Sequence, residues 1–208
     1  MKIKMMIAAM LAGASLSVSA GENMQAKVDK LVADSFRPGN GQDMSRLVQD
    51  ETQKLCSATR NNPSQKDAEA LLAREKDTIK YPADNKLMGD WKEGEKLVKG
   101  GFGMRIGAIE PNPEAQRKGG NGGNCYACHA VDPKEVAAGN LGPSLTGYGK
   151  LRGQSEDIVK YTYEKIYNAQ AFVACSSMTR LGHNGVLKPE QIAHITAYLV
   201  SQESPVNK

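Results

Sequence analysis

The sequence predicts an all-α protein, on three observations. Apolar residues recur at helical spacing in several separate segments, helix-start signals precede those segments, and the one C-x-x-C pair lacks the βαβ context of a redox domain. The 208 residues suit one domain, or one domain with a helical appendage. Charged residues make up 24% and the formal net charge is +4, which excludes a charged disordered tail as the dominant feature. Four cysteines and three histidines are too few for a zinc-finger array, and 5% aromatics leave a core short of its largest fillers.

The chain opens with Lys2 and Lys4, an apolar run from Met5 to Val18, and small residues at Val18-Ser19-Ala20. That order is the signature of a secretory signal peptide cut after Ala20, and the run is shorter than the ~20 residues a spanning helix needs. The mature chain is then 188 residues from Gly21, its formal charge falls to +2, and it gives no electrostatic footprint for nucleic acid. No other stretch is apolar enough to span a bilayer, so the expectation is an exported, periplasmic protein.

Met24, Val28, Leu31 and Val32 predict a first helix, ended by Arg37-Pro38-Gly39-Asn40-Gly41. Met44, Leu47, Val48, Leu55 and Cys56 predict a second, stopped near Asn61-Asn62-Pro63. Ser64 with Asp67 reads as a capping box for a third, through Ala68, Leu71 and Leu72. A short helix from Gly89 to Val98 follows, then the glycine-rich stretches 100–103 and 119–124, neither with the Gly-Lys-Ser/Thr ending of a phosphate loop. Ser155 caps a helix reaching Asn168, and Pro189 opens the last one through Leu199.

The chemistry lies at Cys125-Tyr126-Ala127-Cys128-His129, the C-x-x-C-H signature of covalent haem attachment. Each thiol can add to one porphyrin vinyl group, and the adjacent histidine can reach the iron. A zinc site would need a second ligand pair, and Cys56 and Cys175 stand apart. Met178, in Cys175-Ser176-Ser177-Met178-Thr179-Arg180, is the one methionine after His129 and the expected opposite axial ligand. Its rivals are His183, read as part of a solvated turn, and His194, read as a packing residue on the last helix. A thioether opposite histidine suits electron transfer and argues against an open-iron enzyme such as a peroxidase. In an oxidising compartment Cys56 and Cys175 are disulfide candidates, the alternatives being a free thiol or a bond to another subunit.

The haem signature, Gly142-Pro143-Ser144, and Gly94 paired with Ile195 and Tyr198 resemble class I cytochromes c. The resemblance implies a cytochrome c-like domain over 86–208 around one covalent haem c, after a helical N-terminal extension over 21–85 and the signal peptide at 1–20. It implies that the Pro143 carbonyl accepts the axial histidine's other N–H, and that Gly94 lets two helices cross closely. Many relatives carry an aromatic where this chain has Val98.

A narrower likeness covers about residues 86–200. Gly139-Asn140-Leu141-Gly142-Pro143-Ser144-Leu145-Thr146-Gly147-Tyr148-Gly149, Tyr167-Asn168-Ala169-Gln170-Ala171-Phe172 leading into Cys175-Ser176-Ser177-Met178, and Gly185-Val186-Leu187 resemble SoxX, the monohaem subunit of the SoxAX cytochromes of sulfur oxidation. That family usually has Asn-Pro before the cysteine and Pro after the methionine, where this chain has Val173-Ala174 and Thr179. The likeness implies the electron-transfer subunit of an L-cysteine S-thiosulfotransferase that joins thiosulfate to a SoxYZ-like carrier cysteine. The implied partners are a SoxA-like cytochrome subunit in a heterodimer and a downstream acceptor cytochrome; the helical extension lies outside the likeness, and the separate expectation is that residues 22–80 pack on the partner subunit. This chain would hold no catalytic residue of its own. The competing expectation is a stand-alone periplasmic electron carrier.

Overall fold

A computed structural model describes residue 24 and residues 26–38, 44–100 and 122–208. The predicted signal peptide and most of the glycine-rich stretches lie outside these residues. Two compact units divide the chain, residues 1–48 and 49–208. In the first, helix α1 covers 26–35 and a separate 3-10 turn covers Met44–Leu47. The second holds α2 (Glu51–Ala58), α3 (Gln65–Lys76), α4 (Trp91–Lys99), α5 (Tyr148–Arg152), α6 (Glu156–Tyr167) and α7 (Pro189–Val200). The described residues contain no strand, and none of their helices is long and apolar enough to cross a membrane.

The predicted second helix is shorter than its apolar stripe. Asp50 rather than Met44 sets its start: the carboxylate accepts from the Gln53 N–H at 2.8 Å and the Gln53 side chain accepts from the Asp50 N–H at 2.9 Å. Ser64 caps α3, accepting from the Asp67 N–H at 3.2 Å. The Asp67 carboxylate answers the Ser64 hydroxyl, at 2.7 Å, rather than its backbone, so the predicted box is only half formed. Ser155 caps α6 and Pro189 sits in the first turn of α7, as their residue types require.

The core forms where α4 crosses α7. Leu97 and Val98 of α4 pack with Ile192, Ile195, Tyr198 and Leu199 of α7 and with Tyr163 and Ile166 of α6. Gly94 makes the crossing possible: a Cβ there would lie 2.0 Å from the His194 carbonyl oxygen and 2.8 Å from the Tyr198 Cβ. Val98 is fully buried, and Trp91 at the start of the same helix supplies aromatic surface to the cluster.

Helices α2 and α3 pack within the 49–208 unit. Cys56 of α2 is bonded to Cys175, 119 residues away, and both lie against Leu71 of α3. A buried polar cluster adds to this. Glu75 of α3 accepts from Asn168 Nδ2 at 2.7 Å and from the Thr52 hydroxyl, and pairs with the Arg180 guanidinium at 3.3 Å. Glu164, buried in α6, receives Lys76 and the Tyr81 hydroxyl.

Candidate functional site

Cys125–Ala127 form a single 3-10 turn entered through Asn124, whose φ of +45° lies in the left-handed region that asparagine tolerates better than most side chains. Backbone bonds fold the signature onto itself: the His129 N–H donates to the Cys125 carbonyl at 2.9 Å and the Gly142 N–H to the Cys128 carbonyl at 2.8 Å. The second bond brings the 139–144 loop against the histidine. Gly142 is packed so closely that a Cβ would stand 2.1 Å from His129 Cε1. One residue on, the Pro143 carbonyl lies 2.7 Å from His129 Nδ1. A carbonyl can only accept, so Nδ1 carries the proton and Nε2 keeps its lone pair free for a metal.

A cavity of about 710 Å³ opens beside this ring. Cys125, Cys128 and His129 line it together with Met178, and Leu145, Ile166, Leu181 and Leu199 give it an apolar wall. Leu141 and Leu151 also line it, yet they are 85% and 83% exposed. So much bare leucine on one cavity wall is surface that a broad apolar group would cover. At the rim, Arg152 lies over the Tyr148 ring at 5.2 Å and the Tyr161 ring at 5.8 Å. Lys165 also lines the cavity, and burial lowers its pKa.

The structure brings together Cys125, Cys128, His129, Pro143 and Met178, and leaves the two rival histidines out of the cavity lining. His194 Nδ1 accepts from the Asp90 N–H at 2.8 Å, where α4 and α7 meet. His183, read as part of a solvated turn, is instead half-buried, with Nε2 3.4 Å from Arg180 Nη1. Burial, then the Arg180 charge, lowers its pKa. Cys56 and Cys175 form a bridge.

Burial pushes the Cys125 thiol up to about 11, the reverse of the lowered pKa that a dithiol nucleophile needs. Among the described residues no three His, Cys, Asp or Glu side chains gather to hold a metal ion. Two free thiols on one turn, an oriented imidazole and an apolar cavity together fit a covalently held porphyrin.

Comparison with known proteins agrees. The cytochrome c family matches residues 121–203, the segment that carries the signature, the proline loop, Met178 and α7. A protein of Aquifex aeolicus (strain VF5) described as an uncharacterized lipoprotein is 45% identical over 165 residues, which is 77% of this chain and 74% of that one. The chain contains a cytochrome c domain. It binds haem c covalently, and its function is electron transfer.

In this cytochrome each part of the site has a separate task. The iron of haem c supplies the one-electron redox chemistry. Cys125 and Cys128 would fix the group to the chain, the Pro143 carbonyl would set the orientation and basicity of His129, and the apolar wall would keep water away. No sequence signal marks Arg152, Tyr161 or Lys165 as cavity residues. They lie on α5 and α6, which no local motif links to the haem signature; α5, five residues long, has too little periodic pattern to predict.

Proposed function

We propose that this cytochrome is an exported electron-transfer subunit with His129 and Met178 as the two axial iron ligands. The observation that carries this reading is that Met178 lines the same cavity as His129, while His183 and His194 are engaged by Arg180 and by Asp90. A thioether opposite an imidazole favours the reduced iron and fills the coordination site an oxygen-activating enzyme must leave open. Export is supported by Lys2, Lys4, the apolar run to Val18 and the small residues before Gly21, and by the description of the Aquifex relative as a lipoprotein. A far-red thioether–iron absorption band in the oxidised protein, lost in Met178→Ala, tests the ligand pair.

The narrower proposal is a SoxX-like role: relaying electrons within a SoxAX-like L-cysteine S-thiosulfotransferase. It is supported by the Gly139–Gly149 and Tyr167–Met178 stretches and by the Cys175 half of the Cys56–Cys175 bridge within the second of them. Purification of the native protein tests it. Recovery with a second haem subunit, and loss of thiosulfate conjugation to a carrier cysteine when this chain is deleted, is the expected result. A lone monomer whose deletion leaves conjugation intact would instead establish a stand-alone carrier.

A further inference from the structure

The six residues from Cys175 to Arg180 are tied down on both sides of Met178. At one end Cys175 is bonded to Cys56 of α2, and its φ of +57° is a conformation that non-glycine residues seldom adopt unless their surroundings impose it. Next to it, Gln170 clasps Ser176: the side-chain carbonyl accepts from the Ser176 N–H at 3.2 Å and the side-chain amide donates to the Ser176 carbonyl at 3.0 Å. At the other end Arg180, only 7% exposed, reaches into the α2–α3 hairpin. Its Nη1 lies 3.3 Å from Glu75 Oε2, and its Nη2 donates to Asp50 Oδ2 at 2.5 Å. Only Ser177, Met178 and Thr179 lie between these anchors, and Ser177 and Thr179 are exposed.

We propose that Arg180 is a positioning residue for Met178, and that the α2–α3 hairpin, through Arg180 and the Cys56–Cys175 bridge, holds the methionine loop in its ligating conformation. The inference rests on Met178 being an iron ligand. Arg180 suits the role because its fork reaches two carboxylates at once, one capping α2 and one inside α3. Glu75 is 3% exposed and is fixed in turn by Asn168 and Thr52, so the guanidinium docks on a rigid acceptor. Removing the cation leaves that carboxylate buried without its partner and frees the chain two residues from the thioether. A loosened loop spends more time with the sulfur away from the iron, so a competing ligand meets less resistance.

The test uses the full-length holoprotein, with imidazole as the competing ligand for the oxidised iron. Arg180→Gln, and separately the double variant Cys56→Ser with Cys175→Ser, should bind imidazole at least about tenfold more tightly than the wild type. Both should show a weaker thioether–iron band and a lower reduction potential while far-ultraviolet circular dichroism still reports the folded helices. Should Arg180→Gln fail to fold, Arg180→Lys carries the test: a single ammonium cannot span both carboxylates, and it should show a smaller rise in imidazole affinity. Variants that melt at lower temperature but keep wild-type imidazole affinity and potential would reduce the hairpin to a stabilising element and overturn the proposal. A wild-type protein with no thioether–iron band would overturn the Met178 assignment itself.

Discussion

Gly142→Ala tests the packing that aims His129. The added Cβ would sit 2.1 Å from Cε1, 2.6 Å from Nδ1 and 2.7 Å from Nε2 of the ring. Packed carbon pairs rest about 3.5–4.0 Å apart, so the imidazole or the 139–144 loop must move by more than about 1 Å. The φ of Gly142 lies outside the left-handed region, so alanine meets no backbone penalty there and the effect is steric. Moving the ring breaks the 2.7 Å hydrogen bond to the Pro143 carbonyl. Loss of such a bond costs about 1 kcal/mol and overpacking about 1–3 kcal/mol, giving a destabilisation of about 2–4 kcal/mol. At ~2–4 °C per kcal/mol for a unit of this size, the Tm of the holoprotein should fall by roughly 10 °C. Thermal unfolding followed by circular dichroism and by haem absorbance reads the change, and the reduction potential should shift with the imidazole. An unchanged Tm with an unaltered haem spectrum would show that the 142–143 loop does not bear on the histidine, and the reasoning would fail.

Two further outcomes follow from the same structure. Gly94→Ala should destabilise the protein although alanine is the better helix former by ~1 kcal/mol, because its Cβ would lie 2.0 Å from a backbone oxygen that cannot step aside without parting α4 from α7; a raised Tm would contradict the crossing. For Glu75 and Asp50 burial opposes the charged forms. Hydrogen bonds from Asn168 and Thr52 on Glu75, from the Gln53 N–H on Asp50, and Arg180 on both, outweigh it and hold the two pKa values below the ordinary carboxylate range. Carboxylates lowered in this way contribute stability that is complete above their ordinary pKa and lost as pH falls through the folded-state values. The wild-type Tm should therefore fall steeply below about pH 4, and Glu75→Gln should flatten that fall; parallel curves for the two proteins would refute the assignment.

The residues that meet at the candidate haem cavity were legible in the sequence because most of them are local. The thiols and His129 span five residues, Pro143 follows fourteen residues later, and Met178 stands out because no other methionine lies downstream. The α4–α7 crossing was legible because glycine in mid-helix disfavours the helix and calls for a packing reason, which the His194 carbonyl provides. The start of α2 was misread because Met44, Leu47 and Val48 continue an apolar pattern that Asp50 and Gln53 interrupt with a cap. The Arg180–Glu75 pair was not legible, since charges 105 residues apart carry no mark of pairing. The exposure of Leu141 and Leu151 likewise belongs to the shape of the cavity wall rather than to any local pattern.

The most direct measurement is the reduction potential of the Met178→Ala holoprotein beside that of the wild type, with haem attachment checked under denaturing conditions. A thioether opposite His129 predicts haem still covalently bound through Cys125 and Cys128, a clear fall in potential and disappearance of the far-red band. Covalent haem with an unchanged potential and spectrum would mean that Met178 is not the ligand.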